Sequence, residues 1–186
     1  MRKLFTLLFL LCSVIVLNAQ TQYPPLDKSP LDVVYYPAAY PILKIQDKTT
    51  DLPSARVMYS RPQKNGRNIF GDLVEFGAVW RLGANEATEL ELFKPARIGN
   101  TKLKKGRYSL FCIPNADKWT IIVNKDTDTW GAFKYSKDKD VVRVDVPTQK
   151  TTSVVEIFTM QFEKTETGIG LSMAWDDTRV VLPISF

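Results

Sequence analysis

The stretch YSRPQKNGRNIFGDLVEFGAVWRLGANEAT, residues 59 to 88, concentrates the side chains of this sequence best suited to recognition chemistry. Arg61, Lys64, Arg67 and Arg81 stand against Asp72, Glu75 and Glu86 within it. Each guanidinium donates two parallel hydrogen bonds, so converging arginines suit a carboxylate, a phosphate or a sulfate. Trp80 adds a flat face on which a sugar or an aromatic ring can stack. Gly66, Gly71, Gly77 and Gly83 let the backbone turn where side chains would block it, so distant cations can be brought together. The candidate ligand-binding set is therefore Arg61, Lys64, Arg67, Trp80, Arg81, Asn85 and Glu86. A structural network competes with that reading. In it Arg81 pairs with Glu86 across a turn, Asn85 caps backbone groups and Trp80 belongs to the core.

Composition removes most catalytic alternatives. The chain has no histidine, which excludes a histidine-based triad, a histidine metal cluster and a histidine pH switch. Of its two cysteines, Cys112 lies in the strand-like run YSLFCIP and reads as a buried, inert thiol, because no histidine exists to activate it. No Asp-rich loop of the calcium-binding kind occurs, so neither a metal nor a cofactor is expected. A carboxylate pair made by Glu86 with Asp72 or Glu75 remains as a route to glycoside hydrolysis, which needs two carboxyls about 5–10 Å apart. Trp119 and Trp175 read as core. Trp130, with Phe133 and Tyr135 beside the polar run KDTDT, can extend a binding face.

The elements that must position these residues are short strands. ARVMYSRP alternates, with Ala55, Val57 and Tyr59 on one face, and ATELELF sets Leu90 and Leu92 opposite Glu89 and Glu91. GRYSLFCIP (106 to 114) and KWTIIVN (118 to 124) flank Asn115-Ala116-Asp117 and form a hairpin. VVRVDVP directs Val142, Val144 and Val146 inward. A second hairpin joins residues 153 to 164 to residues 168 to 177, with Ile169, Leu171, Met173 and Trp175 facing one way, and RVVLPISF closes the chain. The single helical turn is expected within NIFGDLVEFGAVW (68 to 80), where Ile69, Leu73 and Phe76 are spaced by four and three. These signals predict an all-β fold, an antiparallel, jelly-roll-like β-sandwich of roughly eight strands. An outer-membrane barrel fits poorly, since several strands are shorter than the roughly 9–11 residues it needs.

The N-terminus MRKLFTLLFLLCSVIVLNAQ has two cations, an apolar run from Leu4 to Leu17 and a small Ala19, the layout of a signal peptide cleaved after Ala19. Cys12 lies inside the apolar run, which argues against lipidation. Cleavage takes 19 of the 186 residues, leaving 167, and removes Arg2 and Lys3, so the net charge falls from +5 to +3. That length suits one domain, residues 54 to 186, preceded by a proline-rich extended arm, residues 20 to 53. The charge is too mild for nucleic acid, and Lys and Asp alternate in KYSKDKD. An exported, periplasmic or envelope-associated protein is expected, not an integral membrane protein.

The patterns YSRPxxxGRxIFGxLVxFGxVWRxGANEAT, KxGxYSLFxIP and WTIIxNKDTDTWGAFxY resemble the bacterial exported proteins grouped as domain of unknown function 2911, common in Bacteroidota. The resemblance covers roughly residues 53 to 186 and matches Tyr59 to Pro62, Gly66, Arg67, Phe70, Gly71, Trp80, Arg81 and Gly83 to Thr88. Export and a β-rich domain are what it implies, without an established activity. The expected function is a non-catalytic module for an anionic or carbohydrate ligand or an envelope protein partner, with a carboxylate-dependent glycan hydrolase as the alternative.

Overall fold

A computed structural model describes residues 23–165 and 168–186; the expected signal segment and residues 20–22 of the arm lie outside them. Among the described residues the strands are β1 (Leu31–Tyr36), β2 (Ala55–Ser60), β3 (Thr88–Leu92), β4 (Ala96–Ile98), β5 (Thr101–Leu103), β6 (Gly106–Pro114), β7 (Lys118–Asn124), β8 (Asp140–Pro147), β9 (Gln149–Thr165) and β10 (Gly168–Ile184). All are paired antiparallel. One sheet runs β1-β2-β3-β6-β7-β8, β9 and β10 form a long hairpin, and β4-β5 is a small hairpin inserted between β3 and β6. The chain is an antiparallel β-sandwich with no closed barrel, since the sheets remain separate.

The period-two pattern fixes which face is covered. Val57, Leu90, Leu110, Ile121, Val123 and Val146 from the large sheet share one core with Phe158, Met160, Leu171, Met173 and Leu182 from the long hairpin. Tyr59 ties the layers by a polar bond as well: its hydroxyl accepts from the Met160 amide at 3.0 Å and donates to the Met160 carbonyl at 3.3 Å. At one end the core is aromatic. Trp80 stacks on Trp175 with centroids 6.0 Å apart and planes 20° apart, while Trp119, Phe158 and Phe70 meet it at steeper angles. Each such buried ring contributes about 1.5–3 kcal/mol by leaving water, so this end is firmly set.

Three features depart from expectation. The segment 68–80 is not helical. Gly71 and Gly77 take φ of +95° and +77°, the Gly71 amide donates to the Val74 carbonyl, and the loop is a series of turns. Ile69 is buried, but Leu73 and Phe76 remain 47% and 41% exposed, so helical spacing did not mean one shared apolar face. The short helix α1 (Tyr40–Ile45) lies instead in the proline-rich arm, with a proline in its first turn, where the missing amide hydrogen costs nothing. That arm also supplies β1, the edge strand paired with β2 from Leu31↔Ser60 to Tyr36↔Ala55. Pro30 and Pro37 bracket this strand without interrupting it, the positions that a ladder tolerates. Finally, β10 joins two expected strands into one, with register shifts between Ala174 and Asp176 and between Asp176 and Thr178.

Candidate functional site

The loop between β2 and β3 is anchored at both ends. After β2, the Lys64 amide donates to the Glu156 carbonyl at 2.7 Å and the Phe158 amide donates to the Pro62 carbonyl at 2.9 Å, so the chain runs along β9. Further on, Trp80 takes up a position beside β6, exchanging backbone hydrogen bonds with Cys112. Then the chain turns sharply. Leu82 and Asn85 adopt φ of +53° and +56°, and Gly83 φ of +154°, where an added Cβ would come within 3.0 Å of the Ser60 carbonyl oxygen. The indole of Trp80 donates to the Gly83 carbonyl at 3.1 Å, and the Thr88 hydroxyl donates to the Leu82 carbonyl at 2.5 Å. The backbone of VWRLGANEAT is therefore a staple built largely from main-chain bonds.

Within that frame the candidate side chains separate. Arg61 is consumed: Nη1 donates to Asp32 at 2.9 Å, Nη2 to the Thr159 hydroxyl at 2.7 Å and Nε to the Phe158 carbonyl at 3.3 Å. Lys64 is consumed by Asp176 at 2.9 Å and by the Arg67 carbonyl. Asn85 donates to Asp27 of the arm at 3.1 Å. Trp80 is 7% exposed and works as core, as the structural-network reading has it. Glu86 is exposed and lines a small cavity with Glu89, Arg107 and Asp128, apart from Arg81. No ion pair joins Arg81 to Glu86 among the described residues. The expected pairing fails because the positive-φ turn at Leu82–Asn85 places the two side chains in different cavities.

Arg81 is the exception among these cations. It is half-buried, its Nε is buried without a hydrogen-bond partner, and burial alone acts on it, lowering its pKa from the usual arginine value. A cavity of about 200 Å³ contains it, lined also by Arg67, Trp80, Trp175, Ser29 and the Gly83–Ala84 backbone, with no carboxylate in the wall. Arg67 turns two of its donors to the carbonyls of Gln63 and Lys64. The cavity thus gathers two guanidiniums at the edge of the tryptophan pair. Of the sequence candidates it unites Arg67, Trp80 and Arg81, and leaves Arg61, Lys64, Asn85 and Glu86 outside.

Of the carboxylates named for the alternative, hydrolytic reading, Asp72 lines a second, larger cavity of about 300 Å³ whose wall includes neither Glu86 nor Glu75. That cavity also holds Asp176, Asp177, Asn68, Asn115 and Phe70. The sequence reading missed this grouping, since its members come from three segments far apart in the chain. The one local signal is the Asp176-Asp177-Thr178 run where β10 bulges, with Asp176 at φ +55°. Cys112 is fully buried, and burial drives its thiol well above the usual cysteine range, which makes it unreactive. Among the described residues no group of three or more His, Cys, Asp or Glu side chains is placed to hold a metal. No described helix is long and apolar enough to cross a membrane.

No curated protein and no solved structure matches the chain. Residues 41–184, most of its length, match the family described as "Protein of unknown function (DUF2911)" and the chain belongs to that family.

Proposed function

We propose that this protein is an exported, non-catalytic β-sandwich module of the cell envelope that binds a small anion, a carboxylate, phosphate or sulfate group, in the cavity shared by Arg67 and Arg81. The carrying observation is Arg81: a half-buried guanidinium with no acidic partner among the described residues, its Nε buried and unbonded, at a cavity without carboxylates. A buried cation without a counterion costs desolvation free energy that nothing else in the fold returns, whereas an incoming anion offsets it through charge-assisted hydrogen bonds. The tryptophan pair beside it gives the ligand's non-ionic part an apolar wall. The signal-like N-terminus supports the envelope assignment.

Calorimetric titration of residues 20–186 with inorganic phosphate, sulfate, acetate and glucuronate tests the binding. Saturable heat is expected with at least one of these anions, weakened at least about tenfold in Arg81→Gln, the loss of one charge-assisted hydrogen bond. Binding that survives Arg81→Gln unchanged, or no binding to any of the four, overturns the reading. Fractionation of cells expressing the full chain tests export, with the shortened mature form expected outside the cytoplasm.

A further inference from the structure

The hairpin β4-β5 and its flanks, KPARIGNTKLKK (94 to 105), contain Lys94, Arg97, Lys102, Lys104 and Lys105 and no acid. All of these cations are exposed, and none forms an ion pair among the described residues. Arg56, Arg61 and Lys64, from another stretch without acids, differ in each meeting a carboxylate, at 2.7, 2.9 and 2.9 Å. Lysines such as Lys28, Lys48 and Lys137 also lack an ion pair, but each adjoins an aspartate in the chain, Asp27, Asp47 and Asp138. Ala96, Ile98 and Leu103 turn into the core, which leaves Arg97 and Lys102 on the outer side of the hairpin. These two are direct cross-strand partners. Like charges so placed destabilise a strand pair, and no described acid pairs with either. At the base of the hairpin Arg97 exchanges backbone hydrogen bonds with Ser185 at 2.7 and 3.0 Å, which brings Phe186 alongside. The Phe186 ring is 42% exposed, stacks on Tyr36 with centroids 6.0 Å apart, and has the Lys94 ammonium 4.8 Å from its centre.

We propose that this hairpin is a docking surface for the anionic phosphate headgroups of a lipid bilayer. Uncompensated cations without an acid among them select a polyanion, and the residue types select which one. Lysine outnumbers arginine here, whereas protein interfaces favour arginine and are depleted in lysine. A discrete carboxylate on a polymer is best held by guanidinium forks, yet Arg97 is the one guanidinium of the cluster and turns Nη1 to the Asn100 carbonyl at 3.0 Å. Ammoniums act as point charges on long stems and suit a diffuse sheet of phosphates, to which each adds its own attraction. The half-exposed Phe186 ring at the rim belongs at the same boundary, where an apolar group leaves water beside charged headgroups. The tip, Gly99-Asn100, has no apolar side chain, so the hairpin rests on the headgroups and does not enter the hydrocarbon. Because Ala96, Ile98 and Leu103 root the hairpin in the core, the charges are presented on a fixed element, and little chain entropy is lost on docking.

Co-sedimentation of residues 20–186 with vesicles tests the surface, using phosphatidylcholine alone or with one quarter phosphatidylglycerol, and alginate as a soluble polyuronate. Pelleting is expected on the anionic vesicles and not on the neutral ones, and it falls as salt is raised from about 0.1 M to about 1 M, where the screening length drops from about 10 to about 3 Å. The double variant Lys102→Gln/Lys104→Gln lowers the partition coefficient about 25-fold, at about fivefold for each charge near the surface. Lys134→Gln/Lys137→Gln removes the same net charge from another loop and lowers it less than about threefold. Arg97→Gln also weakens pelleting while leaving the melting temperature unchanged or raised, since it relieves the pair with Lys102. Arg81→Gln leaves pelleting intact, which separates failure here from failure of the anion cavity. The proposal is overturned by no pelleting on the anionic vesicles, with or without binding to alginate, by equal pelleting on neutral ones, by pelleting that salt leaves unchanged, or by equal losses in the two double variants.

Discussion

Trp80 and Cys112 exchange two backbone hydrogen bonds, from the Trp80 amide to the Cys112 carbonyl at 2.7 Å and back from the Cys112 amide at 2.8 Å. Pairing of β3 with β6 ends at Thr88↔Leu110, so Trp80 continues the ladder along β6 two residues further on. The residue that follows, Arg81, is thereby carried by a sheet position and not by a free loop. A recognition group held this way loses little conformational entropy on binding.

Because Arg81 has no carboxylate partner among the described residues, its removal should not strand a buried charge. Arg81→Met and Glu86→Ala are each expected to change stability by less than about 1 kcal/mol, and the double variant by the sum of the two within about 0.5 kcal/mol. Urea melts check this. A loss of about 3–5 kcal/mol in either single variant, the signature of a broken buried pair, would contradict the geometry.

Gly83→Ala is expected to be costly for a different reason. The residue sits at φ +154° and its new Cβ would stand 3.0 Å from the Ser60 carbonyl oxygen, a backbone atom that cannot rotate away. The loss should exceed about 1 kcal/mol and appear as a lowered melting temperature with unchanged far-ultraviolet circular dichroism.

Arg61 joins β1, the start of the loop and β9 through Asp32, Phe158 and Thr159. Arg61→Ala should cost about 1–2 kcal/mol, less than fully buried charged bonds because the pair is one-third exposed. Hydrogen exchange should show the loss concentrated in the amides of β1, the edge strand, more than in β6 or β7. Uniform acceleration across the sheet would assign Arg61 a global and not a local role.

The pH dependence has two limbs with opposite signs. Side-chain hydrogen bonds from Lys118, Lys150 and Arg107 hold Asp145, Asp177 and Asp128 below the usual carboxylate range. Their contribution is present above the unfolded carboxylate pKa of about 4 and is lost as pH falls through the depressed folded values. All three are largely exposed, so the acid limb should be shallow and should weaken further in high salt. Cys112 gives the alkaline limb. Its thiol is raised by burial, so the stability it contributes is complete below about pH 8.5 and falls as pH rises beyond, where only the unfolded state ionises. Thermal melts from pH 3 to pH 10 should therefore show a plateau between the limbs, and Cys112→Ala should flatten the alkaline one. In the native protein at pH 8, iodoacetamide should leave Cys112 unmodified until denaturant is added.

Alternation of apolar and polar residues was enough to establish β2, β3, β6, β7, β8 and the long hairpin with their inward faces, but not β1, β4 or β5. Val57, Leu90, Leu110, Val142, Val146, Leu171, Met173 and Trp175 are buried where the period places them, and the Asn115–Asp117 turn joins β6 to β7. Such features are legible because a pleated strand exposes one side to water and hides the other, a rule that acts between neighbours in the chain. The same local rule misread residues 68–80, where helical spacing was present but two glycines at positive φ replaced a helix with turns. The fate of the cations was not encoded locally at all. Arg61 meets Thr159, 98 positions away, and Lys64 meets Asp176, 112 positions away, while Arg81, with Glu86 in its own segment, meets no acid among the described residues. Which charges are spent on the fold and which stay open to a ligand depends on distances between remote segments, and only the packing of the long hairpin against the sheet sets those distances.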